Sequence, residues 1–490
     1  MIALILGVAA GALFASLLLP RATQYVLRRA IVKTFVEMAP TTPFHLHNGE
    51  SFFRLITQGA PWLRDRVSLA TSEDALKSLK QIYPMVTAPV REVTELRGLA
   101  DSLHQSGAMT APLATRRNPL SPLEDFLQQS GAMTLLNDAG VDLAAVPEIE
   151  VLEFGPARHH GSRPPAGCTL PGEQEPLDGV LLSWPINYPT RWSHHARFAS
   201  HIAEAGVQPV VLAPSIAWLR IVRAYLAAVA PTVNARFLPI ATDDVWIRDF
   251  GPHFVKSKED TFSIVATPYA PSEHNFQKHD NASQVDIARA FGLPFHFLPL
   301  IIEGGNIVTD GAGSMVMFDS VFQHNPERTI ADIEQIVRDW FGIERLILFP
   351  ALEGEVTGHS DMAVKFVDAG TVLVADVVAG HPWKANFDRI AARLAVTPSS
   401  GGAPYRVVRV PAARTPKGRE HFWSYINSLT VNKTVILPFF NPREDERAIE
   451  IYRSVGFENV VGVDFRDFPL GSVHCQSKEI PAGVMGDRYS

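Results

Sequence analysis

Residues 336–350 read IVRDWFGIERLILFP, an amphipathic helical stretch that stops at Gly342 and gives way to a short apolar strand. One such run says little, because glycine commonly stops helices. The pattern recurs, however, as HIAEAGVQPVVLA around Gly206, IARAFGLPFHFLPL around Gly292 and IYRSVGFENVVGVDF around Gly456. A looser copy runs from Trp383 through FDRIAARLAV to YRVVRV, with its glycines displaced into a longer loop. Five copies at fairly regular spacing point to a repeat architecture. Further apolar strands fill the gaps: HFVKS, SMVMF, TVLVADV and TVILPFF, with Leu177–Trp184 as a buried strand ahead of them. From Glu173 onward the pattern is therefore α/β, each unit a helix plus several strands. A polar motif follows each unit, which a flat sheet does not explain. A closed five-bladed α/β propeller does, because equivalent loops of a ring meet at its axis.

Those motifs hold Asp249 in WIRDFGP, Glu303 in EGGN, His359 and Asp361 in GHSD, Asn427 in SYINS and Cys475 in GSVHC. A free thiol is only a few per cent thiolate at neutral pH, so a nucleophilic Cys475 needs an activator. His359 is the better partner for acid–base work. His474 adjoins Cys475, and neighbouring side chains on a strand point to opposite faces, which makes it the weaker one. Taken singly, a cysteine is more often a small buried hydrophobe and a histidine more often structural. Asp249 and Asp361 could each accept paired hydrogen bonds from a planar guanidinium; the alternative for Asp249 is a salt bridge with Arg248. Trp246 either walls an apolar slot for a methylene stem or belongs to the core. No GxxxxGK loop and no GxGxxG after a strand is present, and no cysteine–histidine spacing resembles a zinc site.

TDDVWIRDFGP, EGGNIVTDG, GHSDMAVKF, SYINSLTVN and GSVHCQSKEIPAG, in this order, resemble the agmatine deiminase and bacterial peptidylarginine deiminase family of the guanidine-modifying (pentein) superfamily. The resemblance covers about Glu173 to Gly483. It implies a five-bladed α/β propeller and hydrolytic deimination without metal or cofactor. Cys475 would attack the guanidino carbon to form an amidino-thioether, with His359 as general acid and then base. Glu303 would orient His359, Asp249 and Asp361 would hold the guanidinium, and Asn427 and Trp246 would line the pocket. The expected substrate is a small cationic guanidine such as agmatine, or arginine within a peptide. Many agmatine deiminases read GGGNIHC before the nucleophile, whereas residues 470–475 here read LGSVHC. GHSDMAVKF and SYINSLTVN look closer to the peptidylarginine branch. The rival expectations are an amidinotransferase on the same fold and a non-catalytic, membrane-anchored binding module for guanidines or peptides.

Size and composition agree with a globular protein. The 490 residues are 46% hydrophobic and 19% charged, so widespread disorder is not expected. A net charge of −7 gives no general basis for binding nucleic acid. The expected organisation has three parts: an anchor or signal segment at 1–20, a helical accessory region and linker at 21–165, and a catalytic domain at 166–490. Ile2 to Leu19 is uncharged and apolar, and as a helix would reach roughly 27 Å, enough to cross a bilayer core. The basic residues that follow it favour a retained anchor with the body on the cytoplasmic side; a cleaved signal would export the body instead. Gly7, Gly11 and Ala15 stand at small-xxx-small spacing, which would let two such helices approach in a homodimer. Thr71-Ser72-Glu73-Asp74 and Ser121-Pro122-Leu123-Glu124 read as helix starts. The octets LHQSGAMT (103–110) and LQQSGAMT (127–134) are expected each to end a helix at its glycine. Ala157–Gly172, rich in proline and glycine and holding Cys168, reads as a linker.

Overall fold

The structure, a computed structural model, describes residues 121–149, 154–159, 163–269, 278–414, 422–466 and 471–486. The apolar segment Ile2–Leu19, the helix start at 71–74 and the first octet lie outside the described residues. Among the described residues, no helix is long and apolar enough to cross a membrane.

Five sheets are present among the described residues, and one connection recurs in them. His253–Lys256 pairs antiparallel with Phe262–Ala266; the helix Lys278–Phe291 then crosses over, and Pro294–Phe297 returns parallel to Phe262–Ala266. Val308–Thr309, Ser314–Phe318, the helix Ile330–Phe341 and Arg345–Phe349 repeat this path. So do Val364–Phe366, Thr371–Asp376, the helix Lys384–Leu394 and Arg406–Arg414. The fourth copy is Leu429–Val431, Thr434–Phe439, the helix Pro442–Ser454 and Asn459–Asp464. The remaining sheet draws on both ends of the described chain. Leu177–Ser183 runs parallel to Gln208–Ala213 across the helix Trp192–Glu204, and its antiparallel partner is Lys478–Pro481.

The middle strand of each unit is flanked on both sides and reads as an unbroken apolar run, as expected where helices cover parallel strands. Ser314–Phe318 and Phe262–Ala266 are buried along their whole length. The helices end where the glycines stood. Gly342 has φ +68°, and its N–H bonds back to the Arg338 carbonyl. The looser copy has no such cap; its helix ends at Ala395 in right-handed geometry, and Gly402 turns the loop that follows.

Two features of the N-terminal part were not foreseen. The helices Ser121–Ser130 and Ala132–Asp138 flank Gly131, as the octet implied, and they pack Leu127, Ala132 and Leu136 into one core with Trp192 and Trp218. Arg220 ties that segment down by donating to the carbonyls of Val146 and Pro147. The end of the expected linker is also packed. Thr169 exchanges backbone hydrogen bonds with Lys256, Leu170 N–H donates to Phe341, and Cys168 is buried with its thiol 3.4 Å from the Trp340 carbonyl. Cys168 and Leu170 belong to the core, and the exposed Thr169 between them is held by its backbone bonds, so this stretch is not a free tether.

The same packing separates two glycine caps. A Cβ at Gly206 would meet nothing within 4 Å, whereas one at Gly342 would lie 2.0 Å from the Cys168 carbonyl oxygen. Gly206→Ala should therefore cost only the left-handed backbone penalty of about 1–2 kcal/mol. Gly342→Ala should cost clearly more, because it also displaces residues 168–170. Urea unfolding of both variants checks this, and equal losses would count against the packed 168–170 segment.

Candidate active site

Each sequence-selected polar residue sits in the few residues before the first strand of a unit. Asp249 lies in the short helix Ile247–Phe250 before His253–Lys256, and Glu303 precedes the turn that leads to Val308–Thr309. His359 and Asp361 precede Val364–Phe366, Asn427 precedes Leu429–Val431, and Cys475 precedes Lys478–Pro481. Equivalent positions on five units thus deliver different chemistry.

The structure brings them together. The Asn427 amide nitrogen lies 3.1 Å from Asp361 Oδ2 and 3.2 Å from Cys475 Sγ. His359 Nε2 is 2.7 Å from Glu303 Oε2, and its Nδ1 stands 3.4 Å from Asp249 Oδ1. Asp249 Oδ1 also accepts the Gly305 N–H at 3.1 Å. Cys475, His359, Asp249, Asp361 and Asn427 are all buried, and Glu303 is partly so. Gly471 lies against both Trp246 and Cys475: a Cβ on it would fall 2.6 Å from the indole ring and 3.2 Å from Cys475 Cβ.

The EGGN motif has a steric reason. A Cβ at Gly304 would lie 2.0 Å from the Arg248 carbonyl oxygen, and one at Gly305 would lie 2.5 Å from His359 Nδ1 and 2.7 Å from Asp249 Oδ1. Only glycine lets this backbone pass between the acid and the imidazole. Asn306 then anchors the turn, accepting from Phe318 N–H and donating to the Phe318 carbonyl and to Ser320 Oγ. The Ser320 hydroxyl in turn donates to the Gly358 carbonyl, joining the EGGN and GHSD loops.

Electrostatics differ sharply within the cluster. Burial, then the charges of Asp361 and Asp249, push the Cys475 thiol well above its ordinary value. Burial works against the His359 imidazolium, but Asp249, Glu303 and Asp361 outweigh it and hold the ring protonated up to about 10. Burial pushes the Asp249 carboxyl up, and the neighbouring acids Glu303 and Asp361 add to it against the pull of His359. Within this cluster, the buried His359 Nδ1 and Asp361 Oδ1 have no hydrogen-bond partner among the described residues.

Sequence reasoning missed the layer beneath. Arg248 does not pair with Asp249, as the alternative had it. Its guanidinium donates to Glu479 Oε1 at 2.6 Å and lies 3.7 Å from Glu173 Oε1. Lys365 pairs with Glu173 and donates to the Ser428 carbonyl at 3.0 Å. His474 lies between Asp361, 2.7 Å from its Nδ1, and Glu173 at its Nε2. Glu173, His474 and Glu479 offer ligand atoms within 4.8 Å of one another, but Arg248 and Lys365 already supply positive charge to those acids. Arg248, Lys365, His474 and Glu479 all lie inside the quoted motifs, and charge within otherwise buried stretches was the available signal. Glu173 carried none.

The chain is similar to known proteins. Residues 169–481 match the family model of Porphyromonas-type peptidyl-arginine deiminase. An agmatine deiminase of Pseudomonas syringae pv. tomato is 26% identical over 365 residues, covering 64% of this chain and 96% of the relative. The structure of an agmatine deiminase from Enterococcus faecalis aligns with a TM-score of 0.59 at 20% identity, covering 66% of this chain and 99% of that one. An agmatine deiminase structure from C. jejuni gives 0.54 at 20% identity, covering 64% and 96%. With more than half of its length matched by the family model and its fold shared with these solved structures, the chain belongs to the Porphyromonas-type peptidyl-arginine deiminase family, within the pentein superfamily.

Proposed function

We propose that this protein hydrolyses an arginine-type guanidine to the ureido product with release of ammonia, through a covalent intermediate on Cys475. The observation that carries this reading is the pair of buried atoms without partners, His359 Nδ1 and Asp361 Oδ1, in one cluster with the Cys475 thiol. A guanidinium presents planar N–H groups to carboxylates, and Asp361 Oδ1 with Asp249 can receive them. Its positive charge offsets the two carboxylates that hold the thiol protonated, so substrate binding lowers the cost of the thiolate.

The steps follow from which groups hold protons. The Cys475 proton passes to solvent as the guanidinium arrives, and the thiolate adds to the guanidino carbon. His359, protonated and fixed through Nε2 by Glu303, gives a proton from Nδ1 to the departing nitrogen, and ammonia leaves. The neutral ring then takes a proton from water, whose oxygen adds to the amidino carbon. Collapse breaks the C–S bond and expels the sulfur as thiolate; the hydroxyl proton passes to that sulfur, which restores the thiol and leaves the neutral ureido group. Asn427 supports the thiolate by donating to Sγ. The rival binding module has no need of a thiol beside a protonated imidazole.

We read the five sheets as the blades of a closed propeller. This is supported by Lys478–Pro481 completing the sheet begun by Leu177–Ser183 and by the equivalent placement of the five site loops. A membrane anchor at Ile2–Leu19 remains part of the proposal, supported by its apolar sequence and basic flank.

The full-length protein in mild detergent should release ammonia from agmatine, from a peptide with internal arginine, or from both, and Cys475→Ala should abolish it. A guanidinylated amine with no ureido product would instead favour the amidinotransferase.

The pH dependence has a defined sign. His359 must be protonated to act as acid, so kcat falls as pH rises through its raised pKa. Glu303→Gln removes a charge and a hydrogen bond that favour the imidazolium, and should move that basic limb down by about one unit or more. In Cys475→Ala protein, guanidinium binding requires the Asp249 carboxylate. Affinity should therefore weaken already as pH drops below neutral, above the ordinary carboxylate range. Calorimetric titration across pH checks the second point; constant affinity down to pH 5 would remove Asp249 from the binding site.

A further inference from the structure

His474 adjoins the nucleophile, yet its ring serves another residue. Its Nδ1 lies 2.7 Å from Asp361 Oδ2, and its Nε2 faces Glu173 Oε1. Both ring nitrogens thus meet carboxylate oxygens. A neutral imidazole has one N–H, so satisfying both acceptors requires a proton on each nitrogen or one on a carboxyl. The backbone of the residue is pinned as well. Its N–H donates to the Asn427 carbonyl at 3.3 Å, and its own carbonyl accepts from Arg248 Nε at 3.2 Å and from Ser477 N–H at 3.1 Å. Behind the ring, Glu173 is held by Lys365 and Arg248.

The consequence falls on Asp361. Its Oδ2 receives two donors, the His474 ring and the Asn427 amide, while its buried Oδ1 has no partner among the described residues. A carboxylate held at one oxygen by two fixed donors cannot rotate freely about its terminal torsion, so the other oxygen is kept aimed at one place. Building on the deiminase reading, we infer that His474, backed by Glu173, is a positioning residue that fixes Asp361 so that Oδ1 meets the substrate guanidinium. It does not act as the acid–base partner of Cys475.

The test uses full-length Cys475→Ala protein, in which binding of agmatine or an arginine peptide is read without turnover. His474→Phe removes both ring donors and should weaken binding by about tenfold or more, the scale of a hydrogen bond to a charged group. His474→Asn places an amide nitrogen near the position of Nδ1 and should recover most of that loss. In an Asp361→Asn background, His474→Phe should add less than about twofold, because the histidine acts through that carboxylate. A merely structural role would weaken binding equally in both backgrounds. Should His474→Phe fail to fold, as judged by circular dichroism, Glu173→Gln takes its place with the same sign expected and the same disappearance in Asp361→Asn. Unchanged binding in the folded variant, or an undiminished loss beside Asp361→Asn, overturns the inference. Wild-type protein that turns over no guanidine overturns the deiminase reading instead, so the two failures are distinct.

Discussion

Burying a carboxylate is costly unless hydrogen bonds or positive charge meet it, and this fold buries Asp249 and Asp361 in one cluster with a thiol. The surrounding structure answers that cost in part. Gly305 N–H and the His359 imidazolium meet Asp249, and Asn427 and His474 meet one oxygen of Asp361. What is left without a hydrogen bond is specific: Asp361 Oδ1, and His359 Nδ1, which meets Asp249 only as an ion pair at 3.4 Å. Burial, with the charges of Asp361 and Asp249 added to it, keeps the sulfur protonated. A cationic guanidine would relieve both conditions at once, so under the proposed mechanism the thiolate forms where and when substrate is bound. The raised thiol is therefore consistent with a nucleophile and describes its resting state.

Neighbours in sequence divide the work between two layers. Asp249 faces His359, while Arg248 beside it turns to Glu479 and Glu173. Cys475 faces Asn427, while His474 beside it turns to Asp361 and Glu173. The two loops are further joined through the main chain, since Arg248 N–H donates to the Cys475 carbonyl at 3.1 Å. Lys478–Pro481 then fixes the nucleophile loop by pairing with Leu177–Ser183. Buried ion pairs of this kind add little net stability by themselves; here they hold backbone and side chains of the upper layer in register. The lowered Lys478, pushed by burial and by Arg248 to about 7, shows how crowded with positive charge that lower layer already is.

What could be read in the sequence was whatever repeats. Helix, glycine and apolar strand leave a periodic trace, and a polar motif after each unit marks the loops, so the α/β class and the residues that cluster were visible in order. Glu173 left no trace, because it enters the lower layer from a proline- and glycine-rich stretch with no period. The end of the expected linker left none for a related reason: the Cys168 thiol meets the Trp340 carbonyl and Thr169 pairs with Lys256, contacts far along the chain that local composition does not encode. The packing of Leu127 and Leu136 against Trp192 is long-range in the same way. Arg248 was visible but open to two pairings, and only three-dimensional placement shows that Glu479 wins over the adjacent Asp249.

The departure of LGSVHC from the GGGNIHC pattern acquires a physical meaning at Ser472. Its hydroxyl donates to Asn427 Oδ1 at 2.7 Å and to the Asn427 carbonyl at 2.9 Å. An amide whose oxygen is committed in this way must turn its nitrogen the other way, and that nitrogen meets Asp361 Oδ2 and Cys475 Sγ. Gly471, at φ +59°, brings the chain against Trp246 just before this point. This loop thus sets the orientation of Asn427 and lies against Trp246. The loop itself ends in Cys475, so a change at Ser472 is felt at the sulfur through the Asn427 amide. His359 and Glu303 are carried by the GHSD and EGGN loops instead.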